Sequence, residues 1–237
     1  MPINRLLVLG GALAAAVVAV VVIVVVAGSG SGSSPTTTAT TTATSTDNRP
    51  EAVSTFAGVP QHGDTLGKAS APVTLTVFED PQCPFCRQWN IDTLPTVVRN
   101  YVRTGRIKIV YRGIVVIGPN SVDGLRTVYA AGQQNKLWNM AEALYERQGG
   151  ENSNWITISV IRSAAREAGA APATLIKAAD SKAVTAQLNE AADEAQTYRV
   201  NGTPTFGIQK QLGRFEQLVV TSLEPAAFSA ALDQALL

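Results

Sequence analysis

The sequence predicts an α/β domain in which a β-α-β unit and a β-β-α unit are separated by an all-helical insertion. Two short runs with alternating apolar residues enclose a helical pattern in the first unit. Helical patterns alone fill a region of about 119–198, and two strand patterns and a helix follow it. Residues 51–237 make up this domain, and the first fifty residues differ from it in composition.

The N-terminal segment carries an unbroken apolar run from Leu6 to Ala27. It matches the ~20 residues that a helix needs to cross a bilayer. Arg5 precedes the run and no basic cluster follows, which predicts that residues 1–5 are cytoplasmic and that 6–27 is a transmembrane anchor or uncleaved signal. Small residues before Gly28 leave cleavage after Ala27 as the alternative, although the run exceeds the usual ~7–15-residue signal core. Under either interpretation the remainder is exported.

Residues 28–50 are rich in Gly, Ser and Thr and almost free of large apolar side chains. Such a segment cannot offset the entropy of ordering by burying apolar surface. The composition therefore predicts a disordered linker between the anchor and the domain.

The first unit of the domain is a predicted strand, helix and strand. Val73 to Phe78 alternates apolar residues with hydroxyl residues, which is typical of a strand. Apolar positions then recur at helical spacing from Phe85 to Val102, with Pro95 inside the pattern, where we expect a kink. Ile107 to Arg112 is the second strand. A connection of this length predicts a parallel pair with a right-handed crossover.

The insertion shows three apolar helix faces, which are separated by Gly149-Gly150 and by Gly169-Ala170-Ala171-Pro172. The faces comprise Leu137, Trp138, Ala141, Leu144 and Tyr145; Ile158, Ile161, Ala165 and Ala168; and Val184, Leu188, Ala191, Ala192, Ala195 and Tyr198.

The last unit begins at Asn201–Ile208, which leads into a strand. Phe215 to Val220 is a second strand pattern, so that a hairpin turn is expected near Leu212–Gly213. A final helix is predicted from Glu224.

Composition excludes several classes of function. With 19 basic and 18 acidic residues the formal net charge is +1, which provides no electrostatic footprint for nucleic acid. Two cysteines and one histidine do not complete a structural zinc site, which takes four ligands, and cannot staple a disulfide scaffold. Two methionines and few aromatic residues argue against a haem or copper site. We therefore expect no cofactor and no resident metal, and a paired redox function remains open.

Both cysteines stand in the turn between the first strand and the helix, in Cys83-Pro84-Phe85-Cys86. A sulfur at a helix N-terminus lies near unpaired backbone N–H groups and the positive end of the helix dipole, which lower the thiol pKa below ~8.5. Cys83 is therefore the predicted attacking thiolate. Cys86, one turn inside the helix, is expected to be buried and to resolve the mixed disulfide.

Two other interpretations of the pair stay open at this point. A local disulfide could simply pin the turn, although closing so short a loop removes little chain entropy. A dithiol could also bind Cu(I) or Zn(II), although no further Cys, Met or His stands nearby in the sequence to complete the site.

The order of elements, the Cys83–Cys86 motif and Gly202-Thr203-Pro204-Thr205 before a strand together resemble the thioredoxin-fold oxidoreductases of the DsbA type. The resemblance extends over about Gly58 to Leu237 and is greatest to the membrane-tethered Gram-positive and actinobacterial branch. It implies a thioredoxin fold with the helical insertion between its two halves. It also implies that Pro204 is cis and faces the cysteines, and that Thr203 binds an incoming peptide through its backbone.

Two positions depart from the family pattern. Many relatives carry a buried glutamate six residues before the first cysteine, where this chain has Val77. Glu79 points to the same face of the strand and is a candidate for the proton relay, with a solvated side chain as the alternative. Phe85 replaces the histidine of the strongest oxidants, which leaves the redox potential open. His62 is a candidate neighbour of the site, with an ordinary surface histidine as the alternative.

The expected function is that of a monomeric extracytoplasmic thiol-disulfide oxidoreductase, a single-pass protein of the cell membrane that introduces disulfide bonds into exported polypeptides containing cysteine. The resemblance implies a membrane quinone-linked re-oxidant of the DsbB or vitamin-K-epoxide-reductase-like type. A reductase or isomerase on the same fold is the first alternative. A non-catalytic tethered metallochaperone is the second.

Overall fold

The computed structural model describes residues 55–211 and 213–237. The predicted cytoplasmic N-terminus, anchor and linker lie outside these residues, as do residues 51–54 and 212. Within the described ranges no helix combines the length and apolar character needed to cross a membrane.

The strands of the described part form one sheet of six strands in the order β1-β2-β4-β3-β5-β6. β3 and β4 are parallel, as predicted, and the other neighbours are antiparallel. The strands are β1 (Gln61–His62), β2 (Thr65–Leu66), β3 (Val73–Glu79), β4 (Ile107–Gly113), β5 (Thr205–Lys210) and β6 (Glu216–Gln217).

Helices connect and cover this sheet. They are α1 (Pro84–Gln88), α2 (Leu94–Val97), α3 (Asn120–Gly132), α4 (Leu137–Glu146), α5 (Ile158–Glu167), α6 (Pro172–Ala179), α7 (Lys182–Thr197) and α8 (Pro225–Ala235). The chain thus runs β-α-β, helical insertion, β-β-α, and the predicted fold class is confirmed.

The helical segment after the cysteine turn is irregular. One π-helical turn, Trp89–Thr93, separates α1 from α2, and a second, Val98–Val102, follows α2. Pro95 has no N–H for an α-helical hydrogen bond, and the first π-turn lies directly before the helix that contains it. The expected irregularity at Pro95 therefore takes the form of a widened helix turn.

The helical insertion contains two helices that the apolar pattern did not identify, α3 and α6. Pro172 looked like a break in the sequence, yet it occupies the first turn of α6, where the missing N–H of proline costs nothing. In α3 the buried face consists largely of small and polar side chains, including Ser121 and Thr127, so its apolar periodicity is weak.

The predicted strand from Phe215 to Val220 is shorter than expected. Its ladder with β5 is limited to Glu216–Gln217, with one further hydrogen bond from the Leu218 N–H to the Phe206 carbonyl (2.9 Å). Phe215 leaves the ladder to stack on Tyr198, at a ring-centroid distance of 3.8 Å. Leu218 is buried and Val219 is largely exposed, but both residues follow the end of the ladder at Gln217. The apolar residues after Gln217 therefore give a strand-like pattern in the sequence although they lie outside the strand.

Candidate active site

The cysteine turn lies at the edge of the sheet where the parallel strands β3 and β4 end. Three residues after Glu79 complete the turn, and Cys83 is the N-cap residue of α1. The Cys83 N–H donates to the Asp80 carbonyl (3.0 Å), and the Cys83 carbonyl accepts the first helical bond from the Arg87 N–H (3.1 Å). Both cysteines are free thiols. β3 and the first helical turn therefore fix the position of Cys83.

The surroundings of Cys83 stabilise its thiolate. A hydrogen bond from the Cys86 thiol is the largest cause that lowers the pKa of Cys83, from its usual 9.0 to about 6. Burial opposes this shift, whereas hydrogen bonds from Thr203 and from the backbone N–H groups of Cys86 and Phe85 support it. The helix N-terminus thus lowers the pKa as the sequence predicts, but the second cysteine contributes more.

Cys86 lies in the opposite environment. Its side chain is completely buried, and burial raises its pKa well above the usual value of 9.0. The hydrogen bond to Cys83 and the negative charges of Glu79 and Cys83 raise it further. One sulfur of the pair is thus a stabilised thiolate and the other a buried neutral thiol.

Thr203 and Pro204 face the cysteines from the loop before β5. The peptide bond between them is cis, as the resemblance implies. The Cys83 thiol donates to the Thr203 carbonyl at 3.1 Å. The buried Thr203 hydroxyl has no other partner among the described residues and lies where it can donate to the Cys83 thiolate.

A cavity of about 410 Å³ adjoins this loop. Pro84 is at the first helical position, and the next side chain, Phe85, stands 61% exposed at the rim of the cavity. Other lining residues are Gln88, Thr203, Pro204, Phe206 and Leu223. The residues between the cysteines thus present an apolar surface beside the reactive sulfur.

Glu79 is completely buried, so the solvated alternative for this side chain is wrong. Its Oε2 accepts hydrogen bonds from Asn90 Nδ2 (2.7 Å) and from the Tyr145 hydroxyl (2.8 Å). Within the described part of the chain, Oε1 and the indole Nε1 of Trp89 have no hydrogen-bond partner, although the nearby Trp89 side chain lowers the pKa of Glu79 slightly. Burial is the main cause that raises the pKa of Glu79 from 4.5 to about 8, so this carboxyl group is mostly protonated at neutral pH.

Glu79 is also linked to the second cysteine. The same Asn90 Nδ2 that binds Glu79 donates to the Cys86 carbonyl at 2.9 Å. The charge of Glu79, when it forms, raises the pKa of the Cys86 thiol. A neutral acid therefore lies beside the sulfur that must gain a proton when the disulfide opens.

Asp80 was not identified as a site residue from the sequence. Its carboxylate is completely buried and accepts four hydrogen bonds. Oδ1 accepts from the Gln82 N–H (2.8 Å) and the Ser121 hydroxyl (2.7 Å). Oδ2 accepts from the N–H groups of Val116 (2.7 Å) and Ile117 (2.9 Å). Asp80 therefore joins the cysteine turn to the loop after β4 and to α3.

The helical insertion supports the turn from the other side. Gln148 Nε2 donates to the carbonyls of Pro81 (2.8 Å) and Cys83 (3.0 Å). Arg87 Nε of α1 donates to the Tyr145 carbonyl at the end of α4 (3.1 Å). These partners are some sixty residues away in the chain, and no local pattern reveals them.

His62 does not belong to this site. It is exposed in the edge strand β1, and two strands, β2 and β4, lie between it and β3. Among the described residues, no group of three or more His, Cys, Asp and Glu side chains is placed to hold a metal ion.

A thiolate and a buried thiol on one helix, opposite a cis-proline loop on a mixed sheet, define the protein as a thiol-disulfide oxidoreductase. Comparison with known proteins gives the family. The sequence model of the thioredoxin family matches residues 61–234. The chain belongs to this family and is an oxidoreductase of the DsbA type.

Individual relatives agree with this assignment. The chain is 28% identical over 154 residues to the probable disulfide bond formation protein D of Bacillus cereus, covering 62% of this chain and 70% of the relative. Oxidised BdbD from Bacillus subtilis has a similar structure, with a TM-score of 0.63 and 21% identity over 75% of this chain and 97% of that one. Wolbachia pipientis alpha-DsbA1 also gives a TM-score of 0.63, with 14% identity over 73% and 90% of the two chains.

Proposed function

We propose that this enzyme introduces disulfide bonds into exported polypeptides, on the outer side of a membrane to which its N-terminal segment tethers it. The unequal environments of the two cysteines carry the proposal. The buried Cys86 thiol stays neutral and donates a hydrogen bond to the Cys83 thiolate, and this stabilises the reduced form. Stabilising the reduced form makes the disulfide form a stronger oxidant, so transfer of the disulfide to a substrate is favoured.

The transfer takes place in two exchange steps. A substrate thiolate attacks Sγ of Cys83 in the Cys83–Cys86 disulfide, a mixed disulfide forms, and Cys86 leaves with the electron pair. The second substrate thiolate then attacks the substrate sulfur of the mixed disulfide and releases Cys83. The substrate loses two electrons and two protons and gains a disulfide. The enzyme takes up the two electrons and one proton and ends with Cys83 as a thiolate and Cys86 as a thiol, and the other proton goes to solvent.

Glu79 is the proposed proton donor in the first step. Cys86 leaves as a thiolate in a site that disfavours its charge, because burial raises its pKa. The Glu79 carboxyl group is mostly protonated at neutral pH and coupled to Cys86 through Asn90. A proton passed from Glu79 neutralises the leaving sulfur, and the carboxylate takes a proton back from the Cys86 thiol when the disulfide forms again.

The proposed membrane tether is supported by the sequence, and the proposed direction of disulfide transfer and the redox partner are supported by the family. The apolar run Leu6–Ala27 and the Gly/Ser/Thr-rich segment 28–50 are the features that support membrane attachment at a distance from the bilayer. The relatives named as disulfide bond formation proteins support the direction of transfer. Re-oxidation of the dithiol requires an electron acceptor, for which we propose a quinone-linked membrane protein.

Oxidation of a reduced, unfolded ribonuclease by the full-length protein tests the activity. Stoichiometric oxidised enzyme is expected to form disulfides in the ribonuclease, and the Cys83→Ser and Cys86→Ser variants are not. Reduction of insulin without oxidation of ribonuclease would assign the enzyme as a reductase. Tight stoichiometric Cu(I) binding by an enzyme inactive in both assays would assign it as a metallochaperone.

Protease treatment of intact cells, after removal of the wall, tests the location. The domain is expected to be digested while a cytoplasmic marker is retained, because the tether places residues 51–237 outside. Protection of the domain until the membrane is lysed would contradict this placement.

A further inference from the structure

The edge of the sheet opposite the cysteines is basic. The parallel strands β3 and β4 begin at this edge and β5 ends there, because Val73 pairs with Ile107 on one side and with Lys210 on the other. Basic side chains stand on the loop before β3, on the segment before β4, and on β4 and β5 themselves. We call them the basic edge, and they are Lys68, Arg103, Arg106, Lys108 and Lys210.

Contacts place these side chains close together. The Lys68 side chain lies against Gly105, in the segment that carries the two arginines. Lys108 Nζ donates a hydrogen bond to the carbonyl of Ala69, the residue after Lys68, at 3.1 Å. Lys210 extends the group across the sheet, since β4 and β5 both flank β3 and two strand spacings correspond to about 10 Å. The positive charges are therefore adjacent and not scattered.

Carboxylate partners are few at the basic edge. Arg106 forms a salt bridge with Asp233 of α8 at 3.3 Å, between side chains that are 50% and 57% exposed. The other four basic side chains form no salt bridge with any described residue. Elsewhere in the domain, Arg112 and Arg147 do pair with carboxylates. The formal net charge of the whole chain is +1, so the uncompensated positive charge is local to this edge.

The described part of the domain begins at the same edge. Thr55 is its first residue, and the Thr55 carbonyl accepts a hydrogen bond from Arg103 Nη2 at 3.1 Å. The segment that we propose as the membrane tether therefore joins the domain beside the basic edge. A flexible linker with the length and composition of residues 28–50 has a root-mean-square span of about 25–30 Å. So short a span gives the basic edge a high effective concentration at the surface that holds the tether.

We propose that the basic edge binds the anionic phospholipid headgroups of the membrane that holds the tether. Phosphate oxygens accept charge-assisted hydrogen bonds from guanidinium and ammonium groups. The attraction of an anionic lipid surface adds up over several basic side chains and acts within a Debye length, about 8 Å at physiological ionic strength. The inference rests on the proposed function, because it takes the tethered location as given.

Docking at this edge sets the direction in which the cysteines face. β3 runs from the basic edge to the cysteine turn, and a strand of its length spans about 23 Å. Cys83 thus lies on the side of the domain that faces away from the docked surface, toward the space that exported polypeptides enter. Salt-sensitive attraction of this kind is reversible, so the linker lets the domain turn its cysteines toward a membrane-bound re-oxidant between turnovers.

Acetylation of lysine in the full-length oxidised protein tests the proposal. The protein is placed in lipid nanodiscs of phosphatidylcholine alone, or of phosphatidylcholine and phosphatidylglycerol in equal parts, and mass spectrometry gives the rate for each lysine. Lys68 and Lys210 should react about fivefold more slowly in the anionic discs, because the docked lipid covers them. Lys177 and Lys182, exposed in the helical insertion, should react at one rate in both discs. High salt should remove the difference, since it screens the attraction.

Charge-reversing variants locate the effect. Arg103→Glu combined with Arg106→Glu should abolish the difference between the two kinds of disc at both reporter lysines. Arg162→Glu combined with Arg166→Glu is the matched control, because it changes the charge by the same amount on the exposed face of α5 and should keep the difference. If the glutamate variant of the basic edge fails to fold, Arg103→Gln combined with Arg106→Gln should reduce the difference. Oxidation of ribonuclease at the wild-type rate in neutral discs shows that a variant is folded.

The outcomes separate this inference from the proposed function. Acetylation rates that are equal in the two kinds of disc, or a difference that survives the charge reversal, would overturn the docking proposal while the tether and the oxidase activity stand. Slower acetylation with a soluble anionic wall polymer, and not with the anionic discs, would assign the basic edge to that polymer and overturn the proposal too. A protein that enters neither disc would contradict the tether, and one that enters but oxidises no ribonuclease would contradict the oxidase function.

Discussion

Cys83 and Cys86 are three positions apart, yet their thiols have very different acidities because one is the N-cap of α1 and the other is buried inside the first turn. The sequence motif alone predicts a low pKa for Cys83 from the helix N-terminus. The structure adds that the Cys86 thiol is its strongest hydrogen-bond donor, which makes the two acidities interdependent.

The acidity of Cys83 predicts a pH profile for alkylation. In the reduced protein, reaction with iodoacetamide should follow the Cys83 thiolate, with a midpoint near its pKa of about 6. Cys86→Ala should move the midpoint upward, because the largest stabilising hydrogen bond is lost, and Cys86→Ser should move it less. Alkylation that persists near pH 6 in Cys83→Ser and vanishes in Cys86→Ser would reverse the assignment of the two thiols.

Glu79 predicts a pH dependence of stability. The unfolded carboxyl group ionises near 4.5 and the folded one near 8, so between these values the native state holds one more proton than the unfolded state. The free energy of unfolding then falls as pH rises, by about 1.4 kcal/mol per pH unit for one proton. The stabilising contribution is complete below pH 4.5 and is lost as pH passes 8.

Glu79→Gln removes this titration. Urea unfolding from pH 4.5 to 8 should show the wild type losing stability relative to Glu79→Gln as pH rises. The variant should also form the mixed disulfide more slowly at neutral pH, because it has no proton for Cys86. Parallel stability profiles and equal rates would show that Glu79 neither titrates in this range nor donates a proton.

At the level of elements, Asp80 connects β3, the loop after β4 and α3 through one buried carboxylate. In Asp80→Asn one acceptor becomes an NH₂ donor that faces backbone N–H groups. We expect a loss of about 3 kcal/mol in urea unfolding of the oxidised protein, since buried unsatisfied donors cost about 1–3 kcal/mol each.

Ser121→Ala is the matched comparison for this prediction. It removes a single hydrogen bond from the same carboxylate, so a loss of about 1 kcal/mol is expected. An Asp80→Asn variant as stable as Ser121→Ala would show that the four hydrogen bonds of the carboxylate do not hold the turn.

The sequence predicted the elements whose signals are local. β3, β4, the cysteine turn and α8 follow from alternation, helical spacing and the N-terminal preference of proline. The short β6 and the helix α6 were misjudged, because Phe215 packs on Tyr198 instead of pairing and Pro172 starts a helix instead of ending one. In both cases the structure depends on contacts with distant parts of the chain, which a local pattern does not reveal.

Some residues of the active site are likewise predictable from the sequence, and others are not. The two cysteines and the Thr203–Pro204 loop are evident from short motifs. The contacts of Asp80 with Ser121 and of Glu79 with Tyr145 span 41 and 66 residues, and only the folded chain brings these side chains together. Burial, which sets the pKa values of Glu79 and Cys86, is a property of the fold and cannot be read from a motif.

At the level of the whole molecule, the residues of the active site lie at one edge of the sheet. The ends of β3 and β4 and the start of β5 meet there, and they carry the cysteine turn, the loop after β4 and the cis-proline loop. The helical insertion contributes Tyr145 and Gln148, and its helix α7 binds the end of β4 through Glu194 and Arg112. The insertion thus supports both the redox pair and the surface around it.

The redox potential of the Cys83–Cys86 pair tests the central claim most directly. Equilibration of the full-length protein with glutathione buffers, followed by the ratio of dithiol to disulfide, gives the value. Because the Cys83 thiolate of the reduced form is stabilised, with the hydrogen bond from the Cys86 thiol as the largest cause, the potential should lie nearer to about −120 mV, the value of a strong oxidant, than to about −270 mV, the value of thioredoxin. A value at the thioredoxin end would contradict disulfide donation and assign the enzyme as a reductase.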